Sequence, residues 1–270
     1  MNEEISQLLR FADKDRWLSC LLAQAEKQAA LMALYAFNFE IARIRETISE
    51  PGLGEIRLQF WADQIEAIYK DQSPSHPIAE GLLPIIKAAS LPKPAFSNLI
   101  EARRFDLYDD PMPDLQTLEG YLGETSSILF VLAAQVLNNG AFAEIADAAG
   151  YAGVAYGLCG LLRSQPLHAR RGQLYLPLDI LSAHGVSPAE ARSGKPSPKL
   201  DAVKAYLRAH ADARLQEAKK AITALPKHLF PAFLPLALTG PMLKADARQK
   251  ELSQLARQWH LWKANLLGRL

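Results

Sequence analysis

The chain has 270 residues and a formal net charge of +1, with 49% apolar and 22% charged residues. It lacks the basic excess of a dedicated nucleic-acid binder and is too apolar for a disordered chain. With 42 Ala and 43 Leu against five Val and five Thr, helix formers dominate and strand formers are scarce, which excludes a Rossmann sheet, a barrel or a sandwich.

From the N-terminus, MNEEISQLLR has neither the basic start and apolar run of a signal peptide nor the acid-poor character of a transit peptide. A cytoplasmic protein is expected. Cys20 and Cys159 lie too far apart in sequence for a disulfide framework or a zinc site and read as buried, reduced thiols. A first long helix is expected over 24–48, with apolar stripes on two sides and Pro51-Gly52 as its stop. Helices follow over 54–71, 77–89 and 94–108. Asp114 is placed to cap an apolar helix over 115–137, which Asn138-Asn139-Gly140 breaks. The segment 142–163 is rich in Ala and Gly, which permits tight packing or leaves room for a ligand. Residues 185–199, with Pro188, Pro196 and Pro198, form the longest expected loop. A polar amphipathic helix over 201–224, a proline-broken apolar segment over 226–241 and a last helix over 244–268 complete the pattern. The longest uncharged run, 125–143, has 19 residues and contains the Asn138-Asn139-Gly140 break, short of the roughly 20 apolar residues needed to span a bilayer. The whole reads as a single all-α domain.

Six His residues include no i, i+4 pair, and no G-x-S-x-G, P-loop or G-x-G-x-x-G occurs. The acids Asp106, Asp109 and Asp110 run into Pro111 and read as a helix end and turn. Two other segments are more informative. Ala33-Leu-Tyr-Ala-Phe37 leads into Ala42-Arg43-Ile44-Arg45-Glu46. Leu161-Leu-Arg163 precedes Ala169-Arg-Arg-Gly172 and Tyr175-Leu-Pro177. With Arg57–Trp61, His76-Pro77 and Arg103–Leu107 in the same order, these resemble the squalene/phytoene synthase family.

The resemblance implies an isoprenoid-synthase-type helical bundle. Its central cavity would be walled by 24–48, 54–71, 115–137 and 142–163. In that family two aspartate clusters on facing helices hold magnesium, which binds the substrate diphosphate. Here the first cluster aligns with Ala42, Arg43 and Glu46, and only Glu46 keeps a carboxylate. The second aligns with Ser164 and His168, and the polar residue before it with Gly160. Magnesium requires hard anionic oxygens, so no catalytic or metal-binding residue and no cofactor is expected, and Pro166 should distort the helix locally. What remains is cationic. Tyr35, Arg43, Arg45, Arg163, Arg170, Arg171 and Tyr175 are the candidate ligand contacts; guanidinium groups could hold an anionic lipid-like ligand, or pair with Glu40, Glu46 or Asp106.

The substituted motifs, with Leu162-Arg163, His168, Leu176-Pro177 and Phe230–Leu234, look most like a non-catalytic branch of the family. That branch includes a mitochondrial respiratory complex I assembly factor and bacterial relatives. It implies respiratory complex subunits or a prenyl lipid as partners and no nucleic acid. Two alternatives stay open. One is an active prenyl transferase with Mg²⁺ on Glu40, Glu46, Asp106 and Glu124. The other is a prenyl-lipid carrier, for which an open apolar tunnel is required. From Lys244 onward six basic residues stand against two acids, and Trp259, Trp262, Leu266 and Leu267 form an apolar face. Such a helix could lie on an anionic bilayer at the inner face of a membrane, but a terminal bundle helix must also bury a face, and packing of both Trp onto the bundle is the favoured expectation.

Overall fold

A computed structural model describes residues 3–141, 143–195 and 197–270. Phe142, the first residue of one expected helix, and Pro196, of the expected loop, lie outside the described residues, as do Met1 and Asn2. The described chain is 77% helical and contains no strand.

The element that fixes the architecture is α3 (Ala25–Ala42), which buries Leu31–Asn38 and Ile41 on all sides. A helix apolar all round must sit inside the bundle. Before it, α1 (Glu3–Ala12) and α2 (Lys14–Leu21) fold against it. Beyond Ala42 the chain tightens into one 3-10 turn, Ile44–Glu46. Pro51 does not stop the helix before it; it opens the next one, α4 (Pro51–Tyr69). At a first helical position its missing N–H costs nothing. Then come α5 (Pro77–Ala88) and α6 (Lys93–Ala102), which passes into a 3-10 stretch, Arg103–Leu107. Trp61 of α4 and Phe96 of α6 both meet Phe37 edge-on, at ring-centroid distances of 5.5 and 5.7 Å.

The expected helix over 115–137 is three pieces. Asp114 caps α7 (Leu115–Leu122) by accepting from the Thr117 N–H at 2.7 Å. A π-helical turn, Gly123–Ser127, follows, and α8 (Ile128–Leu137) completes the run. Thr125 Oγ1 donates to the Tyr121 carbonyl at 2.7 Å, a local bond that competes with the helical ladder. Leu115–Leu137 is also the one run among the described residues long and apolar enough to cross a membrane. Its most apolar window is 61% buried in the bundle, as a core helix's would be.

The second long internal helix, α9 (Ala146–Arg170), runs through Pro166 without breaking. Its glycines set the packing distance. A Cβ on Gly153 would sit 2.1–2.3 Å from the Oγ, Cα and N of Ser127, so α9 presses onto the backbone of the π turn. On its other side α9 lies along α12 (Pro198–Ile222). Between them lie α10 (Leu178–Ala183) and α11 (Pro188–Arg192), and α11 interrupts what the three prolines suggested was a loop over 185–199. Ser187 and Pro188 act there as N-cap and first helical residue rather than as breakers. The proline-broken segment forms 3-10 turns around α13 (Phe230–Phe233), and α14 (Thr239–Asp246) follows. The final helix is split. The chain leaves α14 with Gln249 at φ 51° and re-enters helix as α15 (Gln254–Leu267), capped by Ser253.

Candidate functional site

A cavity of about 340 Å³ opens where the C-terminal half of α3, the π turn and the middle of α9 meet. The start of α2 and Arg103 close its other sides. Four of the degenerate motif positions line it: Ala42 on α3, and Gly160, Ser164 and His168 along α9. The last three recur at i, i+4 and i+8, which puts them on one helix face. The expected α4 wall is absent from this cavity. The inward residues Leu58, Trp61, Ile65 and Ile68 of α4 belong to the apolar core.

Two buried arginines dominate the lining. Arg16 lies between Tyr35 and Tyr156, its guanidinium carbon 5.1 and 5.0 Å from the two ring centroids, and 3.4 Å from Asp13. Burial works against its charge, but Tyr156, Asp13 and Tyr35 outweigh this and hold it above the usual arginine range. Asp13 also caps α2 through the Arg16 N–H, at 3.0 Å. Burial pushes the Tyr35 and Tyr156 hydroxyls far above the ordinary phenol value, so both stay neutral. The second arginine, Arg103, donates to Asp106 at 3.1 Å and to the Tyr121 hydroxyl at 2.9 Å. Asp106 Oδ1 accepts from Tyr121 at 2.7 Å and Tyr175 at 2.6 Å. Gln173 donates to the Asp106 carbonyl at 3.2 Å. The Asp106 carboxylate is therefore consumed by a closed network of one cation and two phenols. His168 packs at a tilt against Tyr175, with ring centroids 4.7 Å apart. Burial, against the pull of Asp106, lowers its pKa to about 4, so it is neutral at pH 7.

The remaining candidate residues do not converge. Arg43 lies over Phe39 and 3.4 Å from Glu40. Arg45 reaches Asp109 at 3.2 Å and Arg171 reaches Glu46 at 2.9 Å. Arg163 turns away, with its Nη1 3.3 Å from Met242 Sδ, and borders a different cavity between α9, α12 and α14. It precedes Ser164 by one residue, about 100° round the helix, which sends it to another side. Arg170 is exposed and, among the described residues, unpaired. Asp13, Arg16, Asn38, Arg103, Tyr121 and Ser126 line the cavity but were not expected as site residues. The i, i+3 pair of Asp13 with Arg16 was visible in sequence; the inward turn of Ser126 depends on the π turn and was not.

The donor set does not fit Mg²⁺. That ion takes near-octahedral hard oxygens. Of the acids proposed for it, Glu40, Glu46 and Asp106 are paired with arginines and Glu124 is exposed. Asp13 is the one carboxylate on the cavity wall. No group of three or more His, Cys, Asp or Glu among the described residues could hold a metal ion. The cavity does offer unsatisfied polarity. Asn38 Oδ1, Ser126 Oγ and Arg103 Nε are buried without a hydrogen-bond partner, a cost that a polar ligand or water could relieve. A second cavity, of about 400 Å³, lies along the N-terminal half of α3 against α5, lined by residues such as Ala30, Ala33, Gly81 and Pro84. It shares no lining residue with the first.

Residues 9–263 match the family model described as squalene/phytoene synthase. The chain is 34% identical over 243 residues to complex I assembly factor 6 of Mus musculus, covering 90% of this chain and 72% of that protein. It is 28% identical over 215 residues to the phytoene synthase of Thermus thermophilus, covering 78% of this chain and 71% of that one. A crystal structure of a dehydrosqualene synthase superposes with a TM-score of 0.83 at 16% identity, over 98% of this chain and 95% of that one. The fold is thus the all-α isoprenoid synthase fold.

Proposed function

The chain belongs to the squalene/phytoene synthase family, and on that premise we propose that it is a catalytically degenerate member acting in the assembly of respiratory complex I. The observation that carries this reading is the cavity lining. At the positions where the family's metal-binding aspartates align stand Ala42, Arg43, Glu46, Ser164 and His168. Ala42, Ser164 and His168 line the cavity, and Glu46, which alone keeps a carboxylate, is engaged by Arg171, as Glu40 and Asp106 are by Arg43 and Arg103. The departure of a diphosphate leaves negative charge on oxygen, and stabilising it needs divalent metal or free cations aimed at it. Here Arg16 and Arg103 are already bound by Asp13 and Asp106. Similarity to proteins named complex I assembly factor 6 in mouse, cow and human, at 33–34% identity, supports the assembly role.

Deletion of the gene in its own organism tests the role. The expected result is loss of assembled complex I and of NADH:quinone activity in membranes, with succinate oxidation intact. Unchanged complex I would contradict it. A retained lipid-binding role is favoured by the unsatisfied donors Ser126 Oγ and Arg103 Nε. It predicts Mg²⁺-independent binding of a prenyl diphosphate, weakened by Ser126→Ala and read by calorimetry.

A further inference from the structure

The expectation that both tryptophans of the last helix pack onto the bundle fails. Leu255, Trp259, Trp262 and Leu266 are 77%, 56%, 49% and 66% exposed. Their spacing of i, i+4, i+7 and i+11 places all four on one stripe of α15. The helix has a separate buried face, on which Leu261 and Ala264 meet the bundle. Arg257 pins that side to α2 through Asp15 at 2.7 Å. The outward stripe is therefore not needed to hold α15 in place. The Trp259 and Trp262 rings lie 5.5 Å apart, a contiguous aromatic surface in water.

Apart from the exposed Glu251, the charges around the stripe are basic. Lys263 flanks it, Arg248 and Lys250 precede it, and Arg269 follows it; among the described residues none of the four is paired. Arg257, on the inner side, is the basic residue of this region that is neutralised. The same α14–α15 link walls, through Ala247 and Gln249, a cavity of about 540 Å³ whose other charged lining is Arg163, Lys195, Lys204 and Arg208 with Asp201 and Asp246.

We propose that α15 is a membrane-docking helix that lies flat on an anionic lipid bilayer, inserting Leu255, Trp259, Trp262 and Leu266 and setting Lys250, Lys263 and Arg269 against headgroup phosphates. Charge complementarity selects this occupant. A second copy would bring the same unpaired cations face to face, and an uncharged apolar partner would leave them unused. Trp side chains suit the headgroup level, where an apolar ring and an N–H are both satisfied.

Flotation of the full chain with phosphatidylcholine vesicles, with and without phosphatidylglycerol, tests this. The expected result is co-flotation with the anionic vesicles only, a blue shift of Trp emission, and release by high salt. Leu255→Glu with Trp262→Glu should weaken binding by about tenfold or more, because it removes buried apolar area and adds repulsion, while helicity and thermal unfolding stay unchanged. No flotation with either vesicle would overturn the proposal, as would equal binding by wild type and the double variant. So would a dimer by analytical ultracentrifugation that the same substitutions dissolve.

Discussion

The cavity and α15 treat charge in opposite ways. In the cavity every buried cation has its acid: Arg16 has Asp13, and Arg103 has Asp106 with two tyrosines around it. On α15 the cations Lys263 and Arg269 face solvent unpaired among the described residues, beside exposed Trp and Leu. The interior charges hold the fold together, and the exterior ones are free to act on something else. In a metal-dependent enzyme the reverse is expected, with unsatisfied anions inside the cavity and an inert surface. The contrast supports function at the surface rather than chemistry within.

The largest effect that would sharpen this contrast comes from the Asp106 network. Asp106→Ala leaves Arg103 buried without its acid and two phenols without their acceptor. A loss of about 3–5 kcal/mol in urea unfolding is expected, as for a broken buried ion pair. A loss under about 1 kcal/mol would mean that the network is not structural.

Next is the pH dependence of His168, which faces Asp106, Glu46 and Arg171. Its folded pKa of about 4 lies below the ordinary 6.5, so between these values the unfolded state binds the proton more readily. Stability from this group is complete above about pH 6.5 and is lost as pH falls towards 4, on the order of 2 kcal/mol across that window. His168→Gln should flatten the slope in pH-dependent unfolding, and an unchanged slope would assign it to other groups.

Gly153→Ala separates propensity from packing. Alanine should favour a helix interior by about 1 kcal/mol, but its Cβ would meet the Ser127 backbone at 2.3 Å. A net loss of roughly 1–3 kcal/mol is expected from overpacking, measured by thermal unfolding; a gain would mean that the π turn yields easily. Asp13→Ala removes the α2 cap and should cost about 1 kcal/mol, with part of that from Arg16. At the far end, Trp259→Ser on the exposed stripe should change stability by less than about 0.5 kcal/mol. A larger loss by the same unfolding assay would make α15 part of the core and break the contrast.

Much of this was legible in the sequence. The scarcity of Val and Thr fixed an all-helical chain, and the ALYAF and ARRG anchors carried the family. Asp114 as a cap and Asn138–Gly140 as a break needed only local rules. Other features depended on tertiary context. Pro51 and Pro188 start helices instead of ending segments, because proline signals an N1 position as well as a stop. The π turn follows from Thr125 and from the press of Gly153, neither of which leaves a periodic trace. The scatter of Arg43, Arg45, Arg163 and Arg171 among separate partners could not be read from motif alignment, which orders residues along the chain but not around a helix. The outward Trp pair was missed because a terminal helix with one apolar face has two ways to use it. Here Leu261 and Ala264 suffice to hold α15, and the tryptophans are left over.

The most direct test of the reading is incubation of the purified protein with farnesyl and geranylgeranyl diphosphate, with and without Mg²⁺, following both binding and release of inorganic diphosphate. The expected result is no diphosphate release under either condition, with any binding indifferent to the metal. Mg²⁺-dependent release with formation of a coupled prenyl product would contradict it, and would require carboxylates such as Asp13 or Glu124 to move into a metal site.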